Sequence, residues 1–289
     1  LLWGFTGVLG RAISLDAPVL VWYRMGLTAL IMIFILYLRR QWVPVERRDL
    51  LQLVMIGCLM GLHWVAFYGA VKFANASIAM VCLSTAGIFV TLLDPLVNKS
   101  KYNLGELLLC LLAICGVFLI YSFQAFYAKG ILWGVIAAAL SAVFTMLNKR
   151  IANKYPARTM VFYEMSSGWI FVSLLLIVII ATGSQSFWLS PDNASATLHL
   201  LPHASDWIWL LLLSLCCTVW AQSLALNALK RLSAFTAVLS VNLEPVYGIL
   251  LAFIFFRENE ELHLGFYLGM AMICLSVVAQ TLRATKSEK

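Results

Sequence analysis

Charge is what this chain has least of. Only 33 of its 289 residues are Lys, Arg, Asp or Glu, and 63% are apolar, against roughly a quarter charged in a soluble domain. A chain of this kind cannot cover its own surface in water, which excludes an ordinary soluble globular protein. Its net charge of +7 is not gathered into a basic block, since the cations stand singly or in pairs between apolar segments. That pattern fits a membrane and not nucleic acid. The seven cysteines, Cys58, Cys82, Cys110, Cys115, Cys216, Cys217 and Cys274, fall inside apolar runs, and no pair has zinc-site or redox-motif spacing. They read as small apolar residues, with no disulfides expected. Of the four histidines only His63 lies well inside an apolar run, and His199 and His203 have no obvious third metal ligand. A phosphate-binding Gly-x4-Gly-Lys-Ser/Thr loop is missing, so the chain has no ATPase motor of its own and no cofactor is expected. The sequence opens in apolar residues, Leu1-Leu2-Trp3-Gly4, with no basic leader or small-residue cleavage site of a signal peptide.

What the chain has in abundance is long apolar runs. A helix needs about 20 largely apolar residues to cross the hydrocarbon, with its backbone polar groups satisfied internally. Nine runs meet this: 17–38, 50–73, 76–98, 105–123, 129–153, 157–182, 206–229, 232–256 and 263–283. A tenth, Leu1 to Ile13, is too short to cross, and the sequence is expected to start inside its first span. Short cytoplasmic loops hold most Lys and Arg. With the N-terminus inside, 15 cations fall on the cytoplasmic side, among them Arg39, Arg40, Arg47, Arg48, Lys149 and Lys154, and only Arg11, Lys72, Lys129 and Arg257 fall outside. The expected fold is therefore an all-α polytopic membrane protein of ten transmembrane helices with both termini cytoplasmic, in the cytoplasmic (inner) membrane.

Self-comparison shows an internal repeat. Ala17-Pro-Val-Leu-Val-Trp-Tyr-Arg-Met25 aligns with Ala157-Arg-Thr-Met-Val-Phe-Tyr-Glu-Met165 at an offset of 140. Ala70, Lys72, Ala76 and Ala79 align with Ala228, Lys230, Ala234 and Ala237 at an offset of 158. The offset grows because of a polar insertion near 183–205. Spans 1–5, residues 1–123, thus repeat as spans 6–10, residues 129–283. Five is odd, so the second unit starts on the opposite side and the repeats are inverted, an arrangement that builds transporters with a midplane site. Matching Gly130 at offset 138 puts the missing start of the first span at about eight residues.

At this point the chain resembles the EamA type of the drug/metabolite transporter superfamily. The residues carrying the resemblance are Leu2-Trp3-Gly4, Tyr23-Arg24, Leu243-Glu244-Pro245-Val246, Phe256-Arg257-Glu258 and Gly265. The first half departs from the pattern, with Ala86-Gly87 where the second has Glu244-Pro245. The resemblance implies export or exchange of small metabolites such as amino acids, through a pore lined by spans 1–4 and 6–9 with 5 and 10 outside.

An ionisable group in hydrocarbon costs at least about 2.5–3.5 kcal/mol, so each one needs a partner, water or a purpose. Five qualify: Arg24, His63, Asp94, Glu164 and Glu244. Counting ~1.5 Å per residue places Arg24, His63 and Glu244 near one level of the membrane. Arg24 suits a bidentate clamp on a substrate carboxylate; the competing reading is a fixed ion pair between Arg24 and Glu244. Glu164 takes Arg24's place in the other repeat and suits a proton or a substrate ammonium, unless it meets Lys149 or Lys154. Asp94 reads as a cap or a partner of Lys99 and Lys101. His63 adjoins the face carrying Trp64 and Tyr68 and is either a relay or hydrogen-bonded packing. Trp3, Tyr23, Trp220 and Tyr247 form a candidate aromatic wall. Ser84, Thr145, Asn148, Gln222, Asn227 and Asn242 supply neutral hydrogen bonds, with Asn242 favoured for the pathway. Gly57/Gly61 and Gly265/Gly269 read as close helix contacts.

The leading expectation is a secondary transporter moving small metabolites by alternating access, not an enzyme. Its partners are a small-molecule substrate, the lipid bilayer and, in a coupled mode, protons. The competing readings are a sugar-nucleotide or drug transporter of the same fold and an intramembrane enzyme acting on a lipid-linked substrate.

Overall fold

The structure is a computed structural model that describes residues 2–98, 104–123, 125–189, 197–231 and 244–287. The described residues are almost wholly helical. A 3-10 turn, Leu2–Gly4, leads into α1 (Phe5–Ala12); α2 (Ala17–Arg39), α3 (Arg47–Phe73), α4 (Ala76–Leu83), α5 (Ala86–Asn98) and α6 (Leu104–Phe123) complete the first half. The second half holds α7 (Ala128–Ile151), α8 (Ala157–Ala181), α9 (Ala204–Ser214), a π-helical turn (Leu215–Trp220), α10 (Ala221–Leu229), α11 (Glu244–Phe256) and α12 (Leu264–Ser287). Seven of the described stretches are long and apolar enough to cross a membrane, and α11 and the apolar part of α12 are shorter ones. The chain is an all-α polytopic membrane protein.

Two of the crossing stretches, Ala76–Leu93 and Ala204–Leu229, are not single α-helices, and local chemistry explains both breaks. Between α4 and α5 the Ser84 hydroxyl donates to Val81 O (2.6 Å) and the Thr85 hydroxyl to Cys82 O (2.6 Å). Consecutive hydroxyls bonding back to the preceding turn compete with the helical ladder and bend it. Between α9 and α10 the ladder widens to a π-turn, and the Thr218 hydroxyl donates to Leu213 O, five residues back, at 2.9 Å. Insertions of this kind mark functional positions in helices.

The helices start where capping chemistry places them. Asn75 caps α4, its side chain accepting the Ile78 N–H at 2.8 Å. Asp49 stands third in α3 and Asp206 third in α9, where a carboxylate opposes the positive end of the helix. These two aspartates also tie the halves together reciprocally. Asp49 accepts from Lys154 Nζ (2.9 Å) and the Tyr155 hydroxyl (2.9 Å) in the turn between α7 and α8. Asp206 accepts from the Ser14 N–H (3.0 Å) and hydroxyl (2.5 Å) in the turn between α1 and α2. Ser14 and Lys154 differ by the same offset of 140 that aligns the sequence halves. Each half thus holds the first turn of the other.

The core lies where the halves interdigitate, α3 packing on α7 and α8, and α2 on α8. Close approach there depends on glycine: a Cβ on Gly57 would stand 2.1 Å from Ser167 Oγ and 2.2 Å from Glu164 O, and one on Gly168 would stand 2.6 Å from Gly57 O. The pair α6 and α12 stands apart, packed chiefly on each other. There a Cβ on Gly116 would meet Gly269 O at 2.7 Å, and the converse distance is 2.5 Å.

The ends of the bundle differ. One carries Arg39, Arg40, Arg47, Arg48, Lys149, Arg150, Lys154, Arg158, Lys230 and Arg231, and is called here the cation-rich end. The other holds a latch. The Arg11 guanidinium is hydrogen-bonded to Glu258 and reaches Glu261 at 3.2 Å. Glu258, fully buried, also accepts the Ala76 and Ser77 N–H groups at 3.0 and 2.7 Å. One carboxylate therefore joins α1, the start of α4 and the turn after α11. Lys72 donates to Ile13 O beside it.

Candidate functional site

A cavity of about 650 Å³ lies between the halves. Its wall takes residues from the first 3-10 turn and α1 (Trp3, Thr6), α2 (Arg24), α3 (Met60, His63, Trp64), the α4–α5 break (Ser84), α7 (Phe144, Asn148), α10 (Gln222) and α11 (Glu244, Tyr247). Along α7 and α10 the lining continues to Asn148 and Leu229, toward the cation-rich end. No residue of α6 or α12 lines it, and none of α8 does among the described residues.

Arg24 is its most constrained side chain. It is 1% exposed, and its guanidinium lies 3.8 Å from the centroid of the Trp64 ring, a cation–π contact strengthened by desolvation. Nε donates to Thr218 Oγ1 (3.0 Å), Nη1 to the Tyr68 hydroxyl (2.6 Å) and Nη2 to Cys217 O (3.4 Å). The π-turn is what presents Thr218 and the Cys217 carbonyl together. Cys217 O also accepts from Trp3 Nε1 at 2.9 Å, so the α1 segment is tied to the same carbonyl. An arginine has five N–H donors in a fixed fork; three are engaged here, all by neutral groups.

Glu244 opens α11 and lies in the wall opposite, 8% exposed. Among the described residues the Thr6 hydroxyl donates to Glu244 Oε1 at 3.5 Å. Arg24 and Glu244 make no ion pair within 4.0 Å, so the fixed pair weighed from the sequence is not formed. The cavity carries a cation and a carboxylate that are not spent on each other.

His63 lines the cavity with Nδ1 2.8 Å from Ala137 O. A carbonyl can only accept, so Nδ1 carries the hydrogen and Nε2 is left for a proton or a ligand. The ring stands edge-on to Phe144 at 5.2 Å. Trp3, Trp64 and Tyr247 also lie in the wall.

Other residues named from the sequence lie elsewhere. Tyr23 is outside the cavity, its hydroxyl donating to Leu200 O (3.1 Å) and its ring edge-on to Trp22 and Trp207. Trp220 is 56% exposed and does not line the cavity, because the π-turn rotates it outward while turning Cys217 and Thr218 inward. Glu164 is fully buried in α8, behind Asn148 and Gln222. It does not meet the two lysines weighed as its partners, since Lys154 bonds Asp49 and Lys149 donates to Leu229 O. Asn242 and the side chain of Asp94 lie outside the described residues.

Sequence reasoning missed Thr218 and the Cys217 carbonyl, because a π-turn has no composition signal. Tyr68 was legible as sharing a helix face with Trp64, four residues apart. Thr6 carried no signal.

The EamA-like transporter family model matches residues 1–122 and 128–281. An uncharacterized transporter of Bacillus subtilis (strain 168), YxxF, is 26% identical over 250 residues, which is 84% of this chain and 73% of that protein. An uncharacterized transporter of Archaeoglobus fulgidus is 25% identical over 198 residues, 66% of this chain and 63% of that one. A solved crystal structure superposes with a TM-score of 0.62 at 16% identity, covering 97% of this chain and 92% of the other, which speaks to the fold alone. With matches across both halves, the chain belongs to the EamA-like transporter family.

Proposed function

We propose that this protein is a secondary transporter that exports or exchanges small metabolites bearing both a carboxylate and an ammonium, amino acids or similar, by alternating access. The observation that carries this reading is the cavity wall itself, where Arg24 and Glu244 face one space without pairing. The engaged groups fix the Arg24 fork, and its remaining N–H donors suit a carboxylate oxygen pair. Glu244 suits the ammonium, and the Trp3, Trp64 and Phe144 rings suit the rest of the molecule. The latch of Arg11, Glu258 and Glu261 closes the end of the bundle away from the cation-rich end, which we assign to the cytoplasm of the inner membrane, with both termini there. In this state the cavity is reached from the cytoplasm. The rocking units are the inverted halves, residues 1–123 and 129–283.

The test is counterflow in proteoliposomes across panels of labelled amino acids, nucleotide-linked sugars and amphipathic cations. Saturable exchange of the first panel, lost in R24A and E244Q, supports the reading. Exchange confined to either other panel replaces the substrate class. If neutralising Arg24 and Glu244 together leaves every transported compound unaffected, the cavity is not the route.

A further inference from the structure

Behind the cavity wall lies a polar cluster that substrate binding does not use. Glu164 is 0% exposed in α8, and both its carboxyl oxygens lack a hydrogen-bond partner among the described residues. Asn148 Oδ1, 1% exposed, is a third unpartnered acceptor. The polar side chains nearest Glu164 are the carboxamides of Asn148 and Gln222, and both of those residues also line the cavity. The helices packed on α8 are α2, α3 and α10, and α10 has no titratable residue. On α2, Arg24 is engaged by Thr218 and Tyr68; on α3, Asp49 is held by Lys154 and Tyr155, and His63 by Ala137 O, while the nearby Cys58 is a free thiol. On α7, Lys149 donates to Leu229 O. None of these is ion-paired with Glu164 among the described residues.

A carboxylate buried this deeply and faced by neutral carboxamides alone is an unstable arrangement, because an ionised group out of water keeps most of its desolvation cost unless a cation is paired with it. A single hydrogen on Glu164 removes the charge and supplies a donor. The adjoining residues of α8, Met160, Val161 and Met165, are apolar and buried. We propose that Glu164 is a proton-binding site of this protein, loaded and emptied by water from the cavity side, where the Asn148 and Gln222 carboxamides adjoin it. The proton arrives from water in the cavity, forms the Glu164 O–H bond, and returns to water when the site empties. Binding of the proton does not depend on the amino-acid reading, because its readout requires no substrate.

The experiment is pH-difference infrared spectroscopy of the purified full-length protein in lipid nanodiscs, following the carboxylic-acid C=O band. The expected result is a band that disappears in E164Q, persists in E244Q and moves to higher frequency in N148L, where the carboxamide is lost. Retention of the whole band in E164Q overturns the proposal. So does bleaching of the Glu164 band by sodium chloride at fixed pH when choline chloride has no effect, which assigns the site to sodium. If E164Q does not yield monodisperse protein, N148L and the wild-type sodium series decide, and a band unmoved in N148L overturns the proposal. Counterflow failing while this band behaves as expected would reject the transport reading alone.

Discussion

A buried arginine surrounded by neutral groups is held for its charge and its shape together. Arg24 is stacked on Trp64 and oriented by Thr218, Tyr68 and the Cys217 carbonyl, so lysine cannot replace it: an ammonium keeps the charge but loses the fork and the planar stack. R24K is expected to retain folding and lose at least tenfold in substrate affinity, measured as the half-saturating concentration in counterflow. T218V removes an acceptor from a charged donor, an effect of about 1.5–3 kcal/mol. It is expected to lower the melting temperature and to weaken substrate binding, while T218S preserves both. Outside the spans, the hydrogen bond to Asp49 raises the pKa of the Lys154 ammonium above its ordinary value. A raised lysine contributes its stability below that ordinary value and loses it as pH climbs through the raised one. The Asp49–Lys154 tie therefore holds throughout the neutral range, and K154M is expected to lower the melting temperature equally at pH 6 and pH 8.

Among the elements, the broken helices decide the site. The π-turn between α9 and α10 turns Cys217 and Thr218 inward and Trp220 outward, and the double hydroxyl bend at Ser84 and Thr85 opens the α4–α5 wall of the cavity. Both breaks lie in apolar stretches that read from the sequence as uninterrupted spans. Contacts between unbroken helices were more legible, because glycines four apart mark close approach, and Gly57 and Gly269 do meet neighbouring backbone. A side chain at Gly57 has backbone in its path and not a movable side-chain tip alone. G57V is expected to destabilise the α3–α8 crossing by about 1–3 kcal/mol or more, seen as a lower melting temperature with loss of monodispersity. The less crowded site at Gly69, where a Cβ would lie 3.5 Å from the nearest atom of Trp133, is expected to accept alanine with little change.

For the whole molecule, the distribution of ties distinguishes what stays from what moves. The Asp49–Lys154 and Asp206–Ser14 contacts are formed at both ends of the bundle at once, so under the proposed alternating access they are the ties expected to persist. In sequence the Arg11–Glu258 latch has no counterpart in the first half: the residue 158 before Glu258 is Ser100. E258Q removes the buried acceptor charge that holds Arg11 and the start of α4, and is expected to raise the reactivity of a thiol placed at the buried Ser77 at least several-fold. A disulfide between R11C and E258C is expected to abolish counterflow, and reduction to restore it. An unchanged exchange rate in the crosslinked protein would show that this end does not open during transport.

That the chain is an all-α polytopic membrane protein was legible because long apolar runs are a property of composition. Lipid has no tolerance for unpaired backbone, so a long apolar run reads as helix, although the breaks inside two of these runs were not legible. The helical rise placed Arg24, His63 and Glu244 near one level, and all three do line one cavity. Which of them face one cavity did not follow, since helix rotation is set by packing between the halves. Tertiary structure alone decided that Tyr23 and Trp220 turn away, that Arg24 and Glu244 stay unpaired, and that Glu164 sits behind two carboxamides. Those outcomes depend on a π-turn, one bend made by two hydroxyls, and glycine crossings, where local hydroxyl bonds and contacts between distant residues override the regular period.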